Sequence, residues 1–174
     1  MKRGAIFSLP NSISLSRLVL ALAFVLIPGR WERVAIILLA GATDFFDGWI
    51  ARHEKEETTT GALIDPLADR VFVFVAISTY LVQGILTTGE YFIFLSRDIA
   101  TAVGFVVAKI VPGLRPAVFR ARMLGKIVTV MQLITLVAVL VYPQYTLVLV
   151  LAVGVVSVAS IVDYTATLWR ARTR

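Results

Sequence analysis

Apolar residues along this chain gather into six blocks separated by short polar breaks. The blocks cover 13–27, 31–52, 61–86, 91–111, 123–142 and 145–169. Several approach or exceed the roughly 20 residues that carry a helix across a bilayer. Pro28-Gly29 closes the first block and Pro143 closes the fifth. The run "PGLRPAVFRAR" before the fifth is a basic connector marked by Pro and Gly. The first block is short, with Ser14, Ser16 and Arg17 making its start polar. The preceding "AIFSLPNS" reads as a short N-terminal interfacial helix. No small-residue cleavage site follows the first block, which predicts a retained helix rather than a signal peptide. The pattern predicts an all-α, integral membrane bundle of six transmembrane helices. It forms a single domain over 1–174, without repeats or low-complexity tracts.

Composition sharpens this picture. Of the 174 residues, 59% are apolar, and the mean hydropathy is +0.88, well above a soluble domain. Cysteine is absent, which removes disulfides and thiolate ligands. The net charge of +6 suits anionic headgroups and membrane orientation better than nucleic acid, since no soluble face is left to carry a nucleic-acid footprint. One set of connections holds Lys2, Arg3, Arg52, Lys55, Arg115, Arg120, Arg122, Lys126, Arg170, Arg172 and Arg174. The opposite set holds only Arg30 and Arg33. The positive-inside rule then predicts a multi-pass protein of the cell's inner, cytoplasmic membrane, with both termini on the cytoplasmic side.

Four aspartates interrupt this apolar chain. Asp44 and Asp47 stand three apart and Asp65 and Asp69 four apart, so each pair shares a helix face. The short connection between the second and third blocks predicts antiparallel neighbours, with both pairs converging near the cytoplasmic surface. Four such carboxylates cannot all stay ionised without cations. All-oxygen ligands favour hard divalent cations, Mg²⁺ or Mn²⁺, and four carboxylates can hold two of them around a phosphoryl displacement. With His53 as the only histidine, zinc is disfavoured. Gly48, Ala51 and Gly61 leave room for close helix approach or a flat ligand, and Arg52 stands where it can meet a pyrophosphate. A proton relay or ion path is the competing account of one Asp pair alone.

The run Asp44-x-x-Asp47-Gly48-x-x-Ala51-Arg52, then eight residues, then Gly61-x-x-x-Asp65-x-x-x-Asp69 resembles, at every fixed position, the signature of the CDP-alcohol phosphotransferase (CDP-alcohol phosphatidyltransferase) family. The upstream "LPNSISLSR", with Pro10, Asn11 and Arg17, is similar to the family's leading segment. The resemblance implies an enzyme of phospholipid biosynthesis, a homodimer. An alcohol attacks the lipid-side phosphorus of CDP-diacylglycerol and CMP leaves. It implies that Asp44, Asp47 and Asp65 hold metal, and that Asp69 is the general base and also touches metal. It assigns Asn11, Asp44, Gly48, Ala51, Arg52 and Gly61 to the CDP-lipid.

The acceptor is read from "SRDIATAVGF" and "RARMLGKIVTVMQL". Both resemble segments of two branches, one making cardiolipin from phosphatidylglycerol and one making phosphatidylglycerol phosphate from glycerol-3-phosphate. The second branch usually carries an arginine where Phe105 stands. That difference, with Ser96-Arg97-Asp98, leans the expectation toward phosphatidylglycerol, with glycerol-3-phosphate as the alternative. Arg97, Arg115, Arg120, Arg122 and Lys126 are the candidate acceptor-binding residues. Arg97 bridged to Asp98 as a structural pair is the bland account, and Asp163 has no assigned partner. A divalent-cation transporter is the competing function from another class; it would place its site near the midplane.

Overall fold

The computed structural model describes residues 9–53, 61–110 and 123–172, and their side chains except those of 9–15, 44–53, 61–69, 105–110, 123, 164 and 167–172. Six helices make up the described chain: α1 Leu9–Leu26, α2 Arg30–His53, α3 Gly61–Val82, α4 Thr88–Ile110, α5 Met123–Val141 and α6 Thr146–Arg172. A 3-10 turn, Pro143–Tyr145, joins the last two. There is no strand among the described residues.

Helix ends follow local chemistry. The expected interfacial segment is replaced at residues 9–12 by the first turn of α1. Pro10 is suited to that turn because a first-turn N–H has no intrahelical partner; residues 5–8 lie outside the described residues. The third helix stops at Val82 rather than 86, because Gly84 adopts a φ of +70° that side-chain-bearing residues rarely take. The fourth begins at Thr88 rather than 91, because Thr87 and Glu90 form a capping box. Glu90 Oε2 accepts from the Thr87 amide at 2.8 Å and from its hydroxyl at 2.7 Å, and the Glu90 amide donates to Thr87 Oγ1 at 3.3 Å.

Two described segments are long and apolar enough to cross a membrane: Leu124–Val141, mean hydropathy 2.2, and Pro143–Asp163, mean hydropathy 2.5. Ser16–Leu26 and Arg70–Val82 are shorter apolar helices. Large apolar side chains such as Val19, Leu22, Leu38, Phe74, Val130, Val155 and Val162 are exposed. Arg17, Arg33, Gln132, Thr135 and Ser157 are buried. Polar groups turned inward under an apolar exterior are what a lipid-facing helix bundle requires.

The chain divides into two compact units, Met1–Gln83 and Gly84–Arg174. In the first, α1 packs against both α2 and α3. Phe24 of α1 meets Phe72 edge-on at 6.2 Å and Tyr80 at 5.7 Å, and all three are buried. Arg33 of α2 lies over the Phe24 ring at 5.1 Å. Its Nε donates to the carbonyls of Phe24 (3.2 Å) and Ile27 (2.8 Å), and its Nη1 donates to Gln83 Oε1 at 2.6 Å. The last carbonyls of a helix lack intrahelical partners, and here a buried guanidinium supplies them. Arg33 is therefore an internal cap on α1, 3% exposed, and not a loop charge to be weighed in the topology rule.

In the second unit α6 packs against α4 and α5. Phe94, Leu95, Val128, Leu136, Val139, Val150 and Val153 form the core. The hydrogen bonds from α4 to α5 pair positions 94 and 98 with 132 and position 97 with 129, so these two helices run antiparallel. At the turn, Thr146 Oγ1 donates to the Pro143 carbonyl at 2.7 Å and starts α6.

Candidate active site

The nine signature positions lie on two continuous helices. Asp44, Asp47, Gly48, Ala51 and Arg52 belong to the last part of α2, and Gly61, Asp65 and Asp69 to the first part of α3. Unbroken helix at both places means that the spacings of three and four act as helix-face spacings. Their side chains, with that of Asn11 on α1, lie outside the described residues, as do Arg115, Arg120 and Arg122.

One described contact relates the two helices that carry these positions. The Arg33–Gln83 hydrogen bond ties the beginning of α2 to the residue just after α3, so the two helices are antiparallel. Asp47 follows Arg33 by 14 positions and Asp69 precedes Gln83 by 14 positions. At 1.5 Å per residue, each stands about 21 Å from that tie. Along the helices from that tie, Asp44 and Asp47 stand about 17 and 21 Å away and Asp69 and Asp65 about 21 and 27 Å away, so Asp47 and Asp69 are the members at matching distance. The expected direct packing of α2 on α3 is replaced, among the described residues, by α1 lying against each of them.

Among the described residues no group of three or more acidic or histidine side chains could hold a metal ion. The four aspartates are outside that set, and their chemistry fits a hard cation: oxygen donors only, in pairs about one helical turn apart on two helices.

The second unit places the acceptor candidates more directly. Arg97 Nη1 lies 3.6 Å from Asp98 Oδ1, with the two side chains 12% and 17% exposed. The same nitrogen makes a long hydrogen bond to Thr129 Oγ1 at 3.4 Å. A Cβ at Gly125 would fall 2.8 Å from Arg97 Nη2, so the guanidinium rests against the first turn of α5. Lys126, the next residue, is exposed. The Arg97–Asp98 pair expected as the bland account thus exists, and it sits beside Lys126 on the neighbouring helix. Asp163 is half-buried on α6. Sequence reasoning missed Thr129 and Gln132, although both share a helix face with Gly125 inside the segment it had singled out.

Three curated relatives are each named CDP-diacylglycerol--glycerol-3-phosphate 3-phosphatidyltransferase. The protein of Aquifex aeolicus is 36% identical over 56% of this chain and 57% of its own length. That of Cereibacter sphaeroides is 37% identical over 41% and 35%, and that of Escherichia coli K12 is 40% identical over 40% and 42%. This chain thus spans about half the length, or less, of the curated relatives it matches. Their names favour glycerol-3-phosphate over the phosphatidylglycerol expected from Phe105 and Ser96-Arg97-Asp98. One aromatic position is a weak guide to acceptor charge when the nearby basic connector can supply it. A sequence model of the family described as CDP-alcohol phosphatidyltransferase matches residues 7–162, and with the signature helices in place the chain belongs to that family.

Proposed function

We propose that this protein transfers the phosphatidyl group of CDP-diacylglycerol to glycerol-3-phosphate, giving phosphatidylglycerol phosphate and CMP. The observation that carries the reading is the nine-position aspartate signature on two continuous helices, α2 and α3. The acceptor rests on the names of the relatives.

In this reading the whole chain acts as one catalytic domain of six membrane-spanning helices. It resides, as a homodimer, in the inner membrane with both termini and the active site facing the cytoplasm. Asp44, Asp47, Asp65 and Asp69 hold two divalent cations, Mg²⁺ or Mn²⁺. Bound there, the cations neutralise charge on the pyrophosphate and polarise it. Gly48, Ala51 and Gly61 give the nucleotide room, Asn11 completes its site, and Arg52 meets the pyrophosphate. Arg97, Lys126 and the basic connector with Arg115, Arg120 and Arg122 receive the acceptor's phosphate. Asp69 takes the proton of the acceptor hydroxyl. The freed oxygen bonds to the lipid-side phosphorus, and the bond from that phosphorus to the bridging oxygen breaks with CMP leaving. Acids gathered toward one end, rather than at the midplane, support an enzyme over an ion transporter.

The test offers CDP-diacylglycerol and Mg²⁺ to membranes containing the protein, with one acceptor at a time. Labelled phosphatidylglycerol phosphate with equimolar CMP is expected from glycerol-3-phosphate. Cardiolipin from phosphatidylglycerol, with no phosphatidylglycerol phosphate, overturns the acceptor. No CMP with either acceptor overturns the enzyme reading.

A further inference from the structure

Arg17 is the one charged residue of α1, and it is 3% exposed. A guanidinium stays ionised in proteins, and a buried charge is stable only beside groups that compensate it. Arg17 is engaged by a neighbour in the folded chain. Its place on α1 points to the chemistry of its surroundings.

Arg17 precedes Phe24 by seven residues, so both lie on one face of the helix. Phe24 meets Phe72 and Tyr80 of α3, and Arg33 of α2 lies over its ring. This face of α1 therefore fronts both neighbouring helices. On α3, the buried positions Phe72 and Ala76 lead back by seven residues to Asp65 and Asp69. On α2, the buried positions Ile37 and Ala40, on the face of Arg33, lead on by seven to Asp44 and Asp47. All four aspartate positions thus continue helix faces that are buried beside α1.

The count along each helix agrees. Arg33 joins carbonyls at the end of α1 to Gln83 just after α3, so α1 and α3 run parallel and α2 opposes them. Phe24 stands against positions 72–80. Seven residues earlier, about 10.5 Å, Arg17 stands against 65–73, the stretch that holds Asp65 and Asp69. Arg33 stands at Phe24–Ile27, and the same step carried along α2 sets Arg17 against 40–43, just short of Asp44. The helices of this unit carry one other acid, Glu32, which is exposed and lies beside Arg33 at the opposite end. Arg70 of α3, a second described cation on this side, is half-buried.

We propose that Arg17 is a positioning residue for the aspartate signature: its guanidinium is the fixed countercharge that holds the carboxylates together when no divalent cation is bound. This inference rests on the reading above, in which these aspartates hold divalent cations. A cation that binds takes over much of this duty, and it shares the carboxylates with a charge that repels it. Arg17 therefore stabilises the empty site and limits the affinity of the filled one.

The experiment follows thermal unfolding of the detergent-solubilised protein in EDTA and across a titration of Mg²⁺. The unmodified protein is compared with Arg17→Lys, with Arg17→Met, and with Arg17→Met joined in turn to Asp44→Asn, Asp47→Asn, Asp65→Asn and Asp69→Asn. In EDTA, Arg17→Met is expected to unfold at lower temperature. Mg²⁺ should raise its midpoint by more than it raises that of the unmodified protein, with half-saturation at about tenfold lower Mg²⁺ once the repelling charge is gone. Arg17→Lys, which keeps the charge, should respond to Mg²⁺ as the unmodified protein does. One of the Asp→Asn changes should return part of the stability lost in EDTA, because it removes a negative charge to match the missing positive one. An equal loss with and without Mg²⁺, at unchanged half-saturation, would make Arg17 a packing residue and overturn the inference. Should Arg17→Met fail to insert, the double variants decide: recovery of a folded protein by any one Asp→Asn change supports the pairing, and recovery by none overturns it. An unmodified protein whose unfolding ignores both Mg²⁺ and Mn²⁺ overturns the metal reading of the aspartates and this inference with it. A normal Mg²⁺ response that Arg17→Met leaves unchanged overturns this inference only.

Discussion

Arg33 in the first unit and Arg97 in the second are both largely withdrawn from solvent among apolar helices, and their described partners differ in kind. Arg33 in the first unit is clamped by two backbone carbonyls, one amide oxygen and an aromatic face, with its shortest contact 2.6 Å. Arg97 in the second is steered by a carboxylate at 3.6 Å and a hydroxyl at 3.4 Å. Backbone carbonyls of a helix end cannot move away without unwinding the helix, so Arg33 has a fixed structural duty. Side-chain oxygens carry no such backbone constraint, so the described contacts of Arg97 tie it to side chains of α4 and α5 rather than to a helix end. The kind of partner, backbone carbonyl against side-chain oxygen, is what distinguishes the two described environments.

The contrast can be broken in order of effect. The largest change is expected in the first unit's signature helices, α2 and α3, rather than at either arginine. Asp47→Asn removes an anionic ligand while keeping shape, and should nearly abolish CMP release at saturating Mg²⁺ in a protein that still inserts. Near-normal turnover would remove Asp47 from the metal set. Asp69→Asn should follow, lowering kcat by about 10²- to 10⁴-fold, the range for loss of a general base. Binding of CDP-diacylglycerol should be kept, and joint loss of lipid and metal binding would make Asp69 chiefly a ligand.

The arginines then divide stability from affinity. Arg33→Leu leaves the Phe24 and Ile27 carbonyls and the Gln83 amide oxygen without this partner. Of these only the Phe24 contact is fully buried, and an unsatisfied buried group costs about 1–3 kcal/mol, so unfolding in detergent should shift to lower denaturant, with KM for glycerol-3-phosphate unchanged in the folded fraction. Arg97→Lys replaces a planar fork with a point charge. It should raise KM for glycerol-3-phosphate about tenfold with little change in unfolding midpoint. Exchange of these two phenotypes would refute the contrast.

Much of this was legible in the sequence because apolar runs and breakers report directly on helices. Pro28-Gly29 and Pro143 end helices where expected, and the aspartate spacings fall on real helix. What was missed depended on finer chemistry. Leu86 extends an apolar run, yet the backbone of Gly84 had already turned the chain. Thr87 and Glu90 cap α4 by a pattern that hydrophobicity does not register. The duty of Arg33 required knowing that α1 ends beside it. Gln132 was hidden because its partners, Phe94 and Asp98, are far away in the chain and meet it only once α4 and α5 run antiparallel. The acceptor was read from single residues along a helix, where the charge of a pocket is a property of several segments together.

The adjacency of Arg97 and Asp98 bears on how such a chain is made. In the membrane-spanning reading proposed above, α4 emerges before α5 during synthesis, so Gln132 and Thr129 do not yet exist when these two charges would meet the bilayer. Opposite charges on neighbouring residues form a nearly neutral pair on their own, which lowers the cost of placing either in hydrocarbon. The α5–α6 hairpin, joined by a three-residue turn, then arrives as one apolar unit and supplies the amide that donates to Asp98. On that reading the ion pair, still 3.6 Å apart in the folded chain, serves first as a passport for α4 and afterwards as an anchor for the helix that arrives late.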